Sequence, residues 1–145
     1  MQIEIMGLAD IPSVLPLYID YYNRCEGGCW TEETAAKRIG QVLKIDDAYS
    51  LIMKEDGGAV IGFAMGYFKQ YDDIVGYTLE EIVIAADRQD HGLGSLLLQE
   101  LERRVRDKGA ACVELQAVKD DMHEKFYGKA SYRDARNFVM KVKWF

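Results

Sequence analysis

The stretch from Tyr77 to Val118 constrains the fold more than any other part of the chain. An apolar strand, Tyr77 to Ala85, interrupted by Glu80 and Glu81, gives way to a polar loop, then to a long amphipathic segment from Gly92 to Lys108, then to a second strand from Cys112 to Val118. Within the amphipathic segment Leu93, Leu97, Leu101 and Val105 recur at helical spacing on one side. Glu100–Arg104 and Glu102–Arg106 are i, i+4 pairs with the acid first, and Arg103, Arg104, Arg106 and Lys108 gather where the helix dipole is negative. Strand, helix and strand in that order require a crossover, so the two strands are expected to lie parallel in one sheet.

The remaining segments fill in an α/β architecture. Ile3 to Met6 reads as a strand. A helix follows, capped by Asp10, with Pro12 in its first turn and its end near Asn23, and Pro16 is expected to bend it or delay its true start. Thr31 caps a second helix whose apolar face is Ala35, Ala36, Ile39, Val42 and Leu43. Tyr49–Lys54 and Val60–Phe68 read as strands joined through Asp56-Gly57-Gly58, a hairpin signal. Asp121 to Tyr127 is a short helix. Phe138 to Phe145 alternates apolar residues with Lys141 and Lys143 and is expected to form a half-buried last strand. The expected order is β-α-α-β-β-β-α-β-α-β, a mixed sheet flanked by helices. A length of 145 residues suits one domain spanning residues 1–145.

Composition excludes several function classes. The formal net charge of −6 weighs against a nucleic-acid partner. No apolar run approaches the ~20 residues that cross a bilayer, and no membrane partner is expected. The N-terminus lacks the basic and apolar regions of a signal peptide. Three cysteines, Cys25, Cys29 and Cys112, cannot all pair within the chain, which fits a reducing, cytoplasmic location. Neither His91 nor His123 has the partner spacing of a metal site, and Cys25-x-x-x-Cys29 has no second pair, so no metal is expected. His123 reads as a residue on a helix surface.

The loop Gln89-Asp90-His91-Gly92-Leu93-Gly94-Ser95 lies between a strand and a helix N-terminus. Small residues there let backbone N–H groups approach an anion, and the helix dipole adds partial positive charge. The loop is therefore read as a diphosphate site. It lacks the Lys and hydroxyl residue of an ATP-binding P-loop. The dinucleotide fingerprint matches Gly92 and Gly94 but meets Leu97 at its third place, although Glu114 stands where a ribose-binding acid would.

Gln89-x-x-Gly92-x-Gly94 resembles the pyrophosphate loop of the Gcn5-related N-acetyltransferase (GNAT) superfamily. Leu79-Glu80-Glu81-Ile82-Val83-Ile84 resembles the strand that this superfamily places before the loop, and Phe126-Tyr127-Gly128-Lys129-Ala130-Ser131-Tyr132 resembles its C-terminal signature. Leu79-Glu80-Glu81 is also similar to the Leu-Glu-Asp of the polyamine acetyltransferase branch. The sequence departs from the pattern at Asp90, Asp120, His123, Ser131 and Tyr132.

The resemblance implies a GNAT fold with a splayed pair of parallel strands, acetyl-CoA as co-substrate, and direct acetyl transfer to a primary amine on a small molecule or peptide. Ile82, Val83 and Ile84 would pair with the pantetheine arm through their backbone, and Gln89, Asp90, His91, Gly92, Leu93, Gly94 and Ser95 would hold the diphosphate. Tyr127 would protonate the departing thiolate. Glu80 or Glu81 would take a proton from the ammonium or hold it. Strand alternation places these two acids on opposite faces, so only one is expected to meet the acceptor. Tyr22, Glu26 and Trp30 are candidate acceptor contacts, an acid with aromatic rings to hold a cation. A homodimer is implied through Phe138–Phe145. The alternative is a GNAT-shaped acyl-CoA-binding or regulatory module without turnover.

Overall fold

The computed structural model describes residues 1–145. One five-stranded sheet organises it, in the spatial order β1 (Gln2–Ile5), β2 (Leu51–Lys54), β3 (Val60–Gln70), β4 (Val75–Ile84) and β5 (Val113–Leu115). Neighbours are antiparallel except β4 and β5, which are parallel, as the crossover requires. Helices α1 (Ile11–Cys25) and α2 (Glu32–Leu43) cover one face. Their Val14, Tyr18, Ala35, Ile39 and Val42 bury against Ile52, Phe63, Met65 and Val83. Helix α3 (Leu93–Asp107) covers the other face, placing Leu97, Leu98, Leu101 and Val105 against Leu51, Met53, Tyr77, Leu79 and Ile84. Helix α4 (Asp121–Lys129) packs Phe126 and Tyr127 onto this second core.

Local signals act much as their chemistry dictates. The Thr31 hydroxyl accepts from the Thr34 N–H at 3.1 Å, so α2 begins where an N-cap was expected. Asp10 behaves differently. Its carboxylate accepts from the Gly7 N–H at 2.8 Å, turning back on the preceding 3₁₀ turn rather than capping α1. Pro16 lies inside α1, and the helix continues through it to Cys25.

The expected last strand does not form. Phe138 to Phe145 pairs with nothing in the sheet, and Phe138, Val139, Met140, Val142 and Trp144 are exposed. Alternation specifies which side chains would share a face, but a strand also needs a ladder partner. Within one chain β5 is only three residues long, and its outer side stays unpaired.

A second departure shapes the whole molecule. Met65 pairs with Glu81 and Gly66 with Leu79, so Glu80 is an extra residue in β4 and the strand bulges there. The cores record the slip. Tyr77 and Leu79 face α3, and so do Ile82 and Ile84, while Val83 faces α1 and α2. The side-chain alternation therefore shifts by one between Leu79 and Ile82. Gly66 makes this possible. A Cβ there would run into the Thr78 carbonyl oxygen and stand 2.6 Å from the Tyr77 hydroxyl, which itself donates to the Tyr49 carbonyl at 2.6 Å. Gly66→Ala forces backbone apart at the bulge, and is expected to cost about 3 kcal/mol, the upper end for overpacking. Urea unfolding measures it, and a loss below about 1 kcal/mol would show that the ladder absorbs the methyl group.

Candidate active site

Strands β4 and β5 pair only from Tyr77–Val113 to Leu79–Leu115 and then diverge. The gap between them opens into a cleft of about 860 Å³. Four kinds of surface line it: the bulged end of β4, the residues after β5 from Gln116 to Val118, the start of α3 with the inner side of α4, and the end of α1 with Tyr21, Tyr22 and Glu26. The cleft thus opens where the parallel pair ends, directly beside the bulge of β4.

At one end lies the loop before α3. Gly92 precedes the helix with φ +75°, a left-handed conformation that favours glycine. The first internal bond of α3 runs from the Leu96 N–H to the Gly92 carbonyl at 3.0 Å, so the N–H groups of Leu93, Gly94 and Ser95 have no partner within the helix. No acidic side chain lies in the first turn. These donors, with the dipole behind them, form a cradle suited to a diphosphate.

The expected loop residues divide by role. Ile82, Ile84, Gln89, Asp90, Gly92, Leu93, Gly94 and Ser95 all line the cleft. The Gln89 side-chain amide donates to the Ile84 carbonyl at 3.1 Å and so ties the loop to the end of β4. A Cβ on Gly94 would stand 3.1 Å from the Phe126 ring, so smallness there lets α4 approach α3. Val83 turns its side chain into the opposite core, leaving only its backbone near the gap. The exposed His91 ring contacts the Gln89 carbonyl through Nδ1 at 2.6 Å and does not line the cleft. Glu114 is occupied elsewhere, accepting from the Tyr71 hydroxyl at 2.7 Å and the Thr78 hydroxyl at 3.1 Å.

The other end is acidic and aromatic. Both Glu80 and Glu81 line it, which corrects the expectation of opposite faces. The bulge is the physical reason, because it removes one step of the alternation that this expectation assumed. Arg38 of α2 holds the two acids together, with a guanidinium nitrogen 2.8 Å from Glu80 and Nε 3.2 Å from Glu81. Glu81 also accepts from the hydroxyls of Tyr22 and Tyr18, the latter at 3.3 Å. Burial pushes the Glu81 carboxyl above its ordinary value, although Tyr22, Arg38 and Tyr18 all work in the other direction. Burial opposes the charge on Arg38 too, but Glu80 and Glu81 outweigh it and keep the guanidinium firmly protonated. Both Glu81 oxygens are therefore engaged, which leaves it poorly placed to receive a proton. Glu80 keeps one oxygen free of hydrogen bonds within the chain.

Tyr127 lines the cleft between these two ends. Burial first, and then the charges of Glu81 and Glu26, push its hydroxyl up to about 12. Glu26, at the end of α1, also lines the cleft and accepts from the Tyr21 hydroxyl at 3.1 Å. Trp30 does not reach the cleft. Its backbone is held by Asn23, and its ring packs edge-on against Tyr18 at 5.1 Å, so it supports the wall. His123 is the reverse case. Expected on a helix surface, it is only 16% exposed and lines the cleft. Arg38 was missed because nothing adjacent to it in sequence signals a partner more than forty residues away.

The fold that carries this cleft has known counterparts. Residues 13–131 match the family model described as acetyltransferase (GNAT) family. The chain belongs to that family, whose members generally use acetyl-CoA. Among solved structures, one named a probable acetyltransferase is 18% identical with a TM-score of 0.82, covering 100% of this chain and 98% of its own. A ribosomal-protein-alanine N-acetyltransferase from Brucella melitensis biovar Abortus 2308 is 18% identical with a TM-score of 0.76, covering 100% of both chains. An aminoglycoside acetyltransferase from an uncultured soil metagenomic sample, solved in complex with sisomicin, is 16% identical with a TM-score of 0.71, covering 99% of this chain and 95% of its own. At these identities the likeness is one of fold. No curated protein matches the chain significantly.

Replacing Arg38 isolates the role of the clamp. Arg38→Met leaves two partly buried carboxylates uncompensated, and is expected to cost about 3 kcal/mol at pH 7. Without the cation the Glu81 carboxyl rises further above its unfolded value. The variant is then closest to wild type at low pH, where the acids are protonated, and falls behind as pH rises through the carboxylate range. Denaturation curves between pH 4 and 8 read this slope, and a pH-independent loss would point to packing alone.

Proposed function

We propose that the protein is an N-acetyltransferase that moves an acetyl group from acetyl-CoA to a primary amine on a small, cationic acceptor, with both substrates bound together. The observation that carries this reading is the cleft itself, which joins a backbone anion cradle to an acidic, aromatic wall with the half-buried Tyr127 between them. Acetyl-CoA supplies an acetyl group activated as a thioester. The N–H groups of Leu93, Gly94 and Ser95 hold its diphosphate, and the diverging edge of β4 from Ile82 to Ile84 offers backbone groups to the pantetheine arm.

Glu80, Glu81 and Glu26 make the opposite end attractive to an ammonium, and Arg38 offsets part of that charge. Tyr21 and Tyr22 supply rings beside the acids, a setting that suits an aliphatic polyamine or amino sugar. Tyr127 is the proton donor to the thiolate. A phenol held at about 12 stays protonated across the working pH range and still transfers its proton to a thiolate leaving beside it. Placing the two reactants together contributes a further ~7–11 kcal/mol in the best cases.

A homodimer forms part of the proposal. The unpaired Phe138–Phe145 segment is apolar and exposed, and β5 is an open edge. Truncation after Asn137 is expected to convert a dimer to a monomer in sedimentation analysis, and a full-length chain that is monomeric at high micromolar concentration would exclude this arrangement.

An amine panel with acetyl-CoA, read by thiol release, tests the function. Binding of CoA without turnover of any amine would favour an acyl-CoA-binding module instead. In the same assay Tyr127→Phe keeps the ring and removes the hydroxyl. Its kcat is expected to fall on the order of a hundredfold, with KM for acetyl-CoA near wild type. Because the hydroxyl lies at about 12, no alkaline limb belonging to Tyr127 should appear below about pH 11. A Phe variant that keeps most of its kcat would make Tyr127 a packing residue.

A further inference from the structure

His123 sits in the first turn of α4, one helical turn before Tyr127 and on the same face. Its Nδ1 lies 2.7 Å from the Asp120 carboxylate, and the same Asp120 oxygen accepts the His123 backbone N–H at 2.8 Å. Asp120 is thus both the N-cap of α4 and the group that orients the imidazole. The other ring nitrogen, Nε2, faces across the cleft toward Glu26, 3.4 Å away. Glu26 is itself held by the Tyr21 hydroxyl.

We propose that His123 is the general base of the reaction, with Asp120 as its positioning residue and the cleft surface beside Nε2 and Glu26 as the seat of the acceptor ammonium. The proposal rests on the acetyl-transfer reading above and adds the route of the proton. Four observations support it. A carboxylate on Nδ1 favours the neutral tautomer that carries its proton there, which leaves the Nε2 lone pair free toward the cleft. The separation of 3.4 Å is long for a charge-assisted hydrogen bond, so the Nε2–Glu26 contact is weak, and an ammonium seated beside the pair reaches both atoms. The competing bases are compromised, Glu81 by three donors and Glu80 by its pairing with Arg38. Imidazole is also the side chain best suited to exchange protons near neutral pH.

The step balances. The ammonium gives one proton to Nε2, and Asp120 stabilises the resulting imidazolium. The freed nitrogen lone pair forms the C–N bond to the acetyl carbonyl, and the C–S bond breaks. Tyr127 gives its proton to the thiolate and recovers one from the acylated nitrogen. His123 then releases its proton to solvent, so one proton leaves per acetyl group transferred. The groups that face the ring are Asp120 of its own helix start and Glu26, with Tyr21 behind it, from α1, and Tyr127 lies one turn further along α4. Each bears on the pH dependence.

Two measurements test this. The first needs no turnover. Long-range ¹H–¹⁵N correlation of the imidazole in the full-length labelled protein reads the tautomer of His123 at alkaline pH. The expected form is protonated on Nδ1 with Nε2 bare, and protonation on Nε2 overturns the proposal. The second compares wild type with His123→Gln in acetyl transfer to spermidine, across pH. The variant is expected to lose about a hundredfold or more in kcat at pH 7 and to recover roughly tenfold per pH unit as more of the amine is already neutral. Stabilisation of the variant by CoA should be unchanged. Asp120→Asn keeps a capping side chain but removes the charge, and should lose activity by a smaller factor. A His123→Gln enzyme with wild-type rate and an unchanged profile overturns the assignment. If wild type releases thiol with no amine, the acetyl-transfer reading fails instead, and the tautomer still decides the placement of the His123 lone pair.

Discussion

One extra residue in β4 is the constraint on which the rest of the molecule depends. Pairing of β4 with β5 stops at Leu79, directly before the bulge at Glu80, and the gap between the strands opens from that point. The ladder to β3 is kept on the other side, so the sheet stays continuous while one edge is freed. The same slip brings Glu80 and Glu81 to one face and lets Ile82 and Ile84 rejoin the α3 core. Cleft, acidic wall and core packing are therefore one backbone event. Its cost falls on Gly66, where the strands approach too closely for any side chain.

The acidic wall is tied to the core as closely as to the cleft. Tyr18 is fully buried between α1 and the sheet, yet its hydroxyl points at Glu81. Tyr22 stacks at a tilt 4.6 Å from Tyr18 and ends on the same carboxylate. Burying an acid at this position is costly unless its oxygens are satisfied. Two phenols and a guanidinium satisfy them, and in doing so they fix the orientation of α1 and α2 on the sheet. The group that sets the charge of the wall is thus structural as well, and its oxygens are already committed to three donors within the chain.

Much of this was legible in the sequence, and the rest was not for identifiable reasons. The crossover from Tyr77 to Val118, the Thr31 cap and the Asp56-Gly57-Gly58 hairpin are local patterns, and the chain follows them. The loop from Gln89 to Ser95 was legible because a small-residue turn before an amphipathic helix has one geometric consequence. The bulge was not. Strand reasoning assumes strict alternation, and only the pair Glu80-Glu81 inside an apolar run hinted at a break. Arg38 depended on a tertiary approach that no periodicity records. His123 was misplaced because a short polar helix reads as solvent-facing when the cleft opposite it is unseen. The last strand failed in the opposite way, since a correct pattern found no partner within the chain.

Helix α4 shows how these levels combine. It has only nine residues and no fully buried side chain, so it draws little stability from its own length. Its position comes from three ties of different kinds. Asp120 caps its start, Phe126 seats against Gly94 at the mouth of the anion cradle, and the Tyr127 ring packs against Phe126 and Tyr132 at 5.0 and 5.6 Å. His123 and Tyr127 occupy one stripe of this helix, and the acids of β4 and α1 stand opposite. A shift of α4 along its axis would move the orienting carboxylate, the imidazole and the phenol together, preserving their order while changing their distance from Glu26 and Glu81. The distance of this stripe from the acids is therefore set in part at the Gly94–Phe126 contact, on the far side of the helix start from the wall itself.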